Sequence, residues 1–223
     1  EMSNINKETL NSLSLSFCFD SISIVKKEES KDVKKYLFEL NDFNKIEAVL
    51  MIHDYGNSLC ISTQVGCNMG CSFCESGRLK KIRNLDASEM VLQILKIEEL
   101  ESIRISHVVL MGIGEPFDNY DNVIKFITIV NDPKGIAIGS RHITVSTCGI
   151  VPKILEFAKE KFQVNLAISL HASNDELRNK IMPINKAYNI SSLIDSVKKY
   201  LEMTNRRVTF EYVMIDMLND KEI

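Results

Sequence analysis

Long apolar runs are missing from this 223-residue chain. The longest stretches, such as residues 108–111, suit a buried strand and fall far short of a membrane span. Residues 1–12 are polar and lack the apolar centre of a secretory signal, so none is expected. There is no low-complexity tract, and with 45% hydrophobic residues the chain has material for one large or two small domains. Charge imbalance is also absent. A net charge of −3 does not announce a nucleic-acid partner through bulk electrostatics. Six cysteines without a secretory signal suit a reducing compartment, where thiols serve metals and catalysis; a cytoplasmic location is expected.

What the chain does have is concentrated in Gly66-Cys67-Asn68-Met69-Gly70-Cys71-Ser72-Phe73-Cys74-Glu75-Ser76-Gly77. Three cysteines at C-x3-C-x2-C spacing sit on one loop flanked by glycines, which admit backbone conformations that a Cβ would obstruct. Ordinary iron–sulfur clusters take four cysteines. Three from one loop leave one iron open to an outside molecule, the arrangement a catalytic cluster needs. Structural zinc is the alternative, but it wants four ligands, commonly as two separated pairs. No second C-x2-C or H-x3-H follows, and His53 and His107 are remote in sequence. A disulfide between Cys71 and Cys74 would staple nothing distant.

Along the chain, a short helical segment over 6–13 precedes three strand-like segments, 21–25, 35–40 and 45–52. Charged or Asn/Asp turns over 26–32 and 41–44 separate them. From residue 58 the rhythm changes to apolar strands alternating with amphipathic helices. Strands are expected over 58–64, 106–111, 142–146, 164–170 and 208–215. Helices are expected from Asp86 (with Glu89 completing a capping box), over 119–130 and 151–161, from Asp175, and over 190–202. Strands buried on both faces and alternating with helices mean parallel βα units. The expected fold is α/β: a small antiparallel extension in 1–56, then about five units of a (β/α)6 partial barrel in 57–223. In such folds ligands sit at the carboxyl ends of the strands. The cysteine loop, Gly114-Glu115-Pro116, Ser146-Thr147-Cys148-Gly149 and Ser169-Leu170-His171 all fall there. An open iron beside that rim can chelate an amino acid. Gly114 and Glu115 suit its ammonium group, and Ser146 and Ser169 suit a ribose or carboxylate, strand-end capping being the plainer role for both. His171 is as readily a structural histidine. The basic cluster Arg78, Lys80, Lys81 and Arg83 beside the loop suggests phosphate contact, whereas Arg141 and the pair Arg206-Arg207 read as solvated faces.

The loop, with Phe73 before its last cysteine, resembles the radical S-adenosylmethionine (radical SAM) superfamily. The segments 60–67, 83–85, 111–116, 145–147, 169–172, 182–185 and 211–214, in that order, are similar to the RlmN/Cfr family, which methylates adenine carbons of 23S ribosomal RNA and, in the RlmN branch, of tRNA. The likeness runs from about residue 37 to 220. It implies that Cys67, Cys71 and Cys74 hold a 4Fe–4S cluster whose free iron binds S-adenosylmethionine, contacted by Gly114, Glu115, Ser146, Ser169, Leu170 and His171. A radical from that cofactor would act on a methyl group carried by a cysteine near the family's C-terminus, giving a covalent protein–RNA adduct. Cys60 matches the cysteine that resolves the adduct by disulfide formation, and Glu47 the glutamate that abstracts the proton. From the residues alone, both would read as ordinary strand positions. Pro116 leans toward C2 over C8 methylation.

The resemblance also implies a one-electron donor such as flavodoxin, no membrane partner, and a monomer. The family's methyl-bearing cysteine, a late cofactor-binding asparagine, the sixth barrel strand and the helical N-terminal domain have no counterpart here. The chain is therefore expected to be a fragment that does not complete methylation alone. Cys148 is expected to be a pocket-wall residue and Cys18 a core thiol. Two rival readings are a radical enzyme acting on a protein or small molecule, and a non-catalytic zinc- or cluster-bearing module that binds RNA.

Overall fold

Alternating apolar residues build the first part of the sheet. The computed structural model describes residues 5–16 and 21–220. A first helix, α1 (Lys7–Ser16), buries none of its residues. Three antiparallel strands follow: β1 (Ser23–Glu29), β2 (Val33–Glu39) and β3 (Lys45–His53). Every second side chain of β3, Ile46, Ala48 and Leu50, is buried, the period-2 pattern of a strand with one covered face. β3 turns through Asp54-Tyr55 into β4 (Gly56–Cys60), which is antiparallel to β3 but parallel to the strand on its other side.

The remainder alternates. A two-residue ribbon, β5 (Gln64–Val65) with β6 (Arg83–Asn84), frames the cysteine loop. Then come α2 (Ala87–Glu101), β7 (Ile105–Leu110), α3 (Tyr120–Asn131), β8 (Ile143–Thr147), α4 (Val151–Phe157), β9 (Asn165–Ser169), α5 (Asp175–Ile181), α6 (Ile190–Thr204) and β10 (Val208–Glu211). The eight-stranded sheet has the order β1-β2-β3-β4-β7-β8-β9-β10, with β4, β7, β8, β9 and β10 parallel. These are five parallel strands of an open α/β barrel, preceded by the antiparallel extension. The capping box at Asp86 starts α2, the Glu89 carboxylate accepting from the Asp86 N–H at 2.9 Å.

The structure departs from the sequence reading at several ends. Residues 26–29 are strand, not turn. β1 is an edge whose residues other than Ile24 are solvent-exposed, so lysines and glutamates are tolerated and even protective there. The segment 58–64 breaks after Cys60 and resumes as β5. α4 stops at Phe157 and passes into tight turns. β10 stops at Glu211, because the Glu211 carbonyl accepts from the N–H groups of Leu170 and His171 while the next N–H but one, that of Val213, turns to His171 Nδ1 at 3.0 Å. The β3–β4 hairpin straddles residues 56–57, and one core runs from Tyr36, Phe38 and Ile46 to Leu59, Met90 and Ile94. Cys18 lies outside the described residues.

A single buried carboxylate ties the extension to α2. Glu101, at the helix end, takes Lys27 at 2.9 Å, the hydroxyl of Tyr36 at 2.8 Å, and Lys34. Burial alone would raise its pKa, but these three donors outweigh that and hold it at about 2, below the ordinary 4.5. The carboxylate's contribution is therefore complete above the ordinary value and is lost as pH falls through the lowered one. Glu101→Gln is expected to cost roughly 2 kcal/mol at neutral pH. Urea unfolding should show that gap narrowing between about pH 5 and pH 2; a gap independent of pH would contradict the assignment.

Candidate active site

The carboxyl ends of the parallel strands open on a cavity of about 440 Å³. Its wall includes Cys67, Cys71 and Cys74 from the loop after β5, Gly114 and Glu115 after β7, Ser146 on β8, Ser169 and His171 at the end of β9, and Glu211 on β10. The cysteine loop is wound tightly. Cys74 N–H donates to the Cys71 carbonyl at 3.1 Å, and Cys67 N–H to that of Leu79 at 3.0 Å. Gly66 has φ of +74°, and a Cβ there would meet the Lys80 carbonyl oxygen at 2.2 Å, so only glycine fits. Ser72 N–H donates to the Ile181 carbonyl at 2.9 Å, and the Phe73 ring meets His171 edge-on at 4.9 Å, so the loop is held from the β9–α5 side.

Cys60, Cys67, Cys71, Cys74 and Cys148 are free thiols. Burial pushes the Cys67 thiol up, and that of Cys71 to about 12. Thiols in such a place become thiolates when a metal supplies the compensating charge. Among the described residues, no group of three or more His, Cys, Asp or Glu side chains converges as single-ion ligands would. Three thiols carried on one loop suit a cubane, which takes each thiolate at a different iron. His53 and His107 lie at the far ends of the strands, in a stack with Tyr55 and His142.

Hydrogen bonds decide what the rim offers a ligand. Ser146 and Ser169 both donate to one Glu211 carboxylate oxygen, at 2.6 and 2.9 Å. Each hydroxyl has one proton, so what remains for the cavity is lone pairs, which suit ammonium or ribose O–H donors and not a carboxylate. His171 is the opposite case. Its Nδ1 accepts from Val213 N–H at 3.0 Å, burial holds its pKa down, and the proton of the neutral ring resides on Nε2. Glu115 is buried at 4% exposure and fixed: one oxygen accepts from Phe117 N–H at 3.0 Å, the other from Cys148 N–H at 2.8 Å, while burial raises its pKa. Gly114 has φ of +109°, and a Cβ would lie 2.6 Å from that of Gln64. Gln64 in turn accepts from Glu115 N–H at 2.9 Å.

An adjoining recess of about 260 Å³ shares Cys74, Met111 and Gly112 with the main cavity and contains Cys60 and Glu47. Burial pushes the Cys60 thiol to about 11. Glu47 pairs with Lys35 at 2.8 Å on the neighbouring strand. Ten of the eleven residues singled out from sequence thus line these two spaces. Leu170 does not: its side chain packs on the core, and its backbone alone belongs to the rim. Cys148 is buried in the cavity wall.

The basic cluster beside the loop is largely consumed internally, which reverses the phosphate expectation for two of its members. Arg83 forks onto Glu89 with two 2.7 Å bonds and reaches Asp42 at 2.6 Å, and Lys81 pairs with Asp118 at 2.7 Å. Glu211 entered the sequence reading only as the first residue of the family-like segment 211–214, with no role assigned, and Arg178 did not enter it at all.

A profile of the "Radical SAM superfamily" matches residues 61–223. The chain belongs to the radical SAM superfamily. It is 56% identical over 224 residues to the "Probable dual-specificity RNA methyltransferase RlmN" of Spiroplasma citri, covering 99% of this chain and 65% of that protein. Identity to the protein of the same name from Acholeplasma laidlawii is 56% over 221 residues, with the same coverages. The crystal structure of a radical SAM methyltransferase from Sphaerobacter thermophilus superposes with a TM-score of 0.93 at 40% identity, covering 99% of this chain and 66% of that one. The chain therefore spans about 65% of the length of the curated relatives it matches. Among the described residues, no helix is long and apolar enough to cross a membrane.

A radical SAM site implies a 4Fe–4S cluster and S-adenosylmethionine, and the free thiols and donor-seeking serines fit both. Glu211→Ala removes the acceptor that orients Ser146 and Ser169. It is expected to weaken S-adenosylmethionine binding to the cluster-loaded protein about tenfold, roughly one hydrogen bond's worth. Calorimetry checks this, and unchanged affinity would contradict the role.

Proposed function

We propose that the protein containing this chain is a radical SAM RNA methyltransferase that adds a methyl group to an adenine carbon of 23S ribosomal RNA and of tRNA. The observation that carries the reading is the junction of two spaces: a three-thiol cavity with a strand-end ligand rim, and a recess presenting Cys60 and Glu47. Neither residue serves the cofactor, so their presence argues against a radical enzyme on a protein or small molecule and against a binding-only module. The names of the relatives support the RNA substrate.

In this reading Cys67, Cys71 and Cys74 hold the cluster. The rim of Gly114, Glu115, Ser146, Ser169 and His171, with the backbone at Leu170, holds S-adenosylmethionine. The bound pair supplies one-electron chemistry, needed because adenine C2 and C8 protons are too weakly acidic for base catalysis alone. Glu47 takes the proton from the substituted adenine carbon. Cys60 then attacks the sulfur that links protein to RNA: an S–S bond forms, the C–S bond breaks with its electron pair on the methylene carbon, and that carbon takes up the proton given up by the Cys60 thiol, so that the base leaves methylated. The high pKa of Cys60 keeps it a thiol until a base engages it. C2 is favoured over C8 on the likeness of Gly114-Glu115-Pro116 to the C2 branch of the family. The site calls for a one-electron donor such as flavodoxin, and the reading places the protein in the cytoplasm as a monomer.

Anaerobic reconstitution with iron and sulfide should give about four irons per chain and visible charge-transfer absorption, both lost in Cys71→Ser. One tightly held zinc in a colourless protein would sink the reading. In the full-length protein, Cys60→Ala should keep the iron and the cleavage of S-adenosylmethionine, yet yield little methylated adenine and leave RNA attached to the protein on denaturing gels. Mass spectrometry of the RNA nucleosides separates 2-methyl- from 8-methyladenosine.

A further inference from the structure

Behind the cysteine loop lies a charge without an adjacent counter-charge. Arg178, on α5, is 0% exposed, yet among the described residues all four of its hydrogen bonds go to neutral acceptors. Nε donates to the Leu170 carbonyl at 3.1 Å and Nη1 to Asn185 Oδ1 at 2.9 Å. Nη2 donates to the carbonyls of Cys148 at 2.7 Å and Ser169 at 3.1 Å. Among the described residues, none of its nitrogens forms an ion pair. The nearest carboxylate in this network, Asp175, is one amide away: Asn185 donates to Asp175 Oδ1 at 2.9 Å. A buried cation is costly unless an anion offsets it. Neutral donors would satisfy the same carbonyls, so hydrogen bonding alone does not explain a guanidinium here.

The anion is on the other side of the wall. α5 carries Arg178 and, one turn on, Ile181, whose carbonyl accepts from Ser72 in the cysteine loop at 2.9 Å. Cys71 packs in the same cluster as Cys148 and Ile181, and Arg178 itself holds the Cys148 carbonyl at 2.7 Å, so the guanidinium is tied to the stretch of wall against which the cysteine loop packs. We propose that Arg178 is a positioning residue for the iron–sulfur centre: its buried guanidinium offsets the negative charge of the cysteine thiolates and of the cluster they hold, and raises the potential at which that cluster accepts one electron. This rests on the cluster assignment above. Reduction adds one negative charge beside a fixed positive one, so the reduced form gains more from Arg178 than the oxidised form does. Asp175 acts through Asn185 with the opposite sign.

The test is an anaerobic titration of the reconstituted full-length protein with dithionite and redox mediators, the reduced cluster being followed by electron paramagnetic resonance. Arg178→Gln is expected to lower the ratio of reduced to oxidised cluster at the wild-type midpoint about tenfold, equivalent to roughly 59 mV for one electron. Arg178→Lys, which keeps the charge, should stay near wild type. Asp175→Asn, nearly isosteric and partly exposed, should move the midpoint the other way by less. These opposite signs are what a purely structural arginine would not give. Should Arg178→Gln fail to hold iron, the Asp175→Asn shift against wild type still decides. Midpoints that coincide in every variant holding a cluster overturn this inference alone. A wild-type protein that takes up no iron overturns the cluster assignment, and the inference with it.

Discussion

Where a set of parallel strands ends at a cavity, the backbone groups beyond the last ladder bond lose their partners, and they must be satisfied without filling the space the ligand needs. Buried side chains meet that constraint here. Gln93 brackets Ser62, accepting from its N–H at 2.9 Å and donating to its carbonyl at 3.0 Å. Asn119 donates to the carbonyls of Thr63 and Leu85, both at 2.8 Å. Glu115 ties the segment after β7 to the N–H after β8, and Arg178 gathers the carbonyls of Cys148 after β8 and of Ser169 and Leu170 at the end of β9. Asn219 donates to the carbonyls of His171 and Val213 at 2.9 and 2.7 Å. The rim is thus a ring of long-range polar clamps around an open centre, and the backbones of Ser169, Leu170 and His171 are fixed by them directly.

The same clamps explain the strained position of His171. It has φ of +54°, a left-handed conformation that a non-glycine residue holds only when its surroundings dictate it. Its N–H, its carbonyl and its Nδ1 are all engaged, by Glu211, Asn219 and Val213 respectively. The ring is consequently presented to the cavity in one orientation and one tautomer before any ligand arrives, so less ordering remains for binding to bring about.

How much of this was legible follows from how local each signal is. The alternation of apolar strands with helices, the Asp86–Glu89 capping box and the three-cysteine spacing are written within a few residues of one another, and all appear in the structure. The convergence of Ser146, Ser169 and Gly114 on one rim followed from the rule that parallel strands bind at their carboxyl ends. Cys60 and Glu47 were visible through family likeness alone, since their neighbourhood arises from the pairing of β3 with β4. Arg178, Gln93, Asn119 and Asn219 look in sequence like ordinary polar helix or loop residues, because most of their partners are main-chain atoms that only folding brings near. The basic run after the cysteines misled for the same reason: Asp42, Glu89 and Asp118, which neutralise Arg83 and Lys81, come from three separate segments.

The two margins of the sheet are not alike. β1 ends it with lysines, glutamates and a register shift at Ile24/Lys26, devices that discourage a neighbouring chain from docking. β10, which among the described residues pairs with β9 alone, ends the other side with Phe210, Tyr212, Val213 and Met214 open to water. A polypeptide limited to these residues would accordingly carry one inert flank and one adhesive one. Its tendency to clump in a test tube would be directional, seeded at β10 and capped at β1, and a soluble handle fused beyond β10 would do more for yield than one placed before β1.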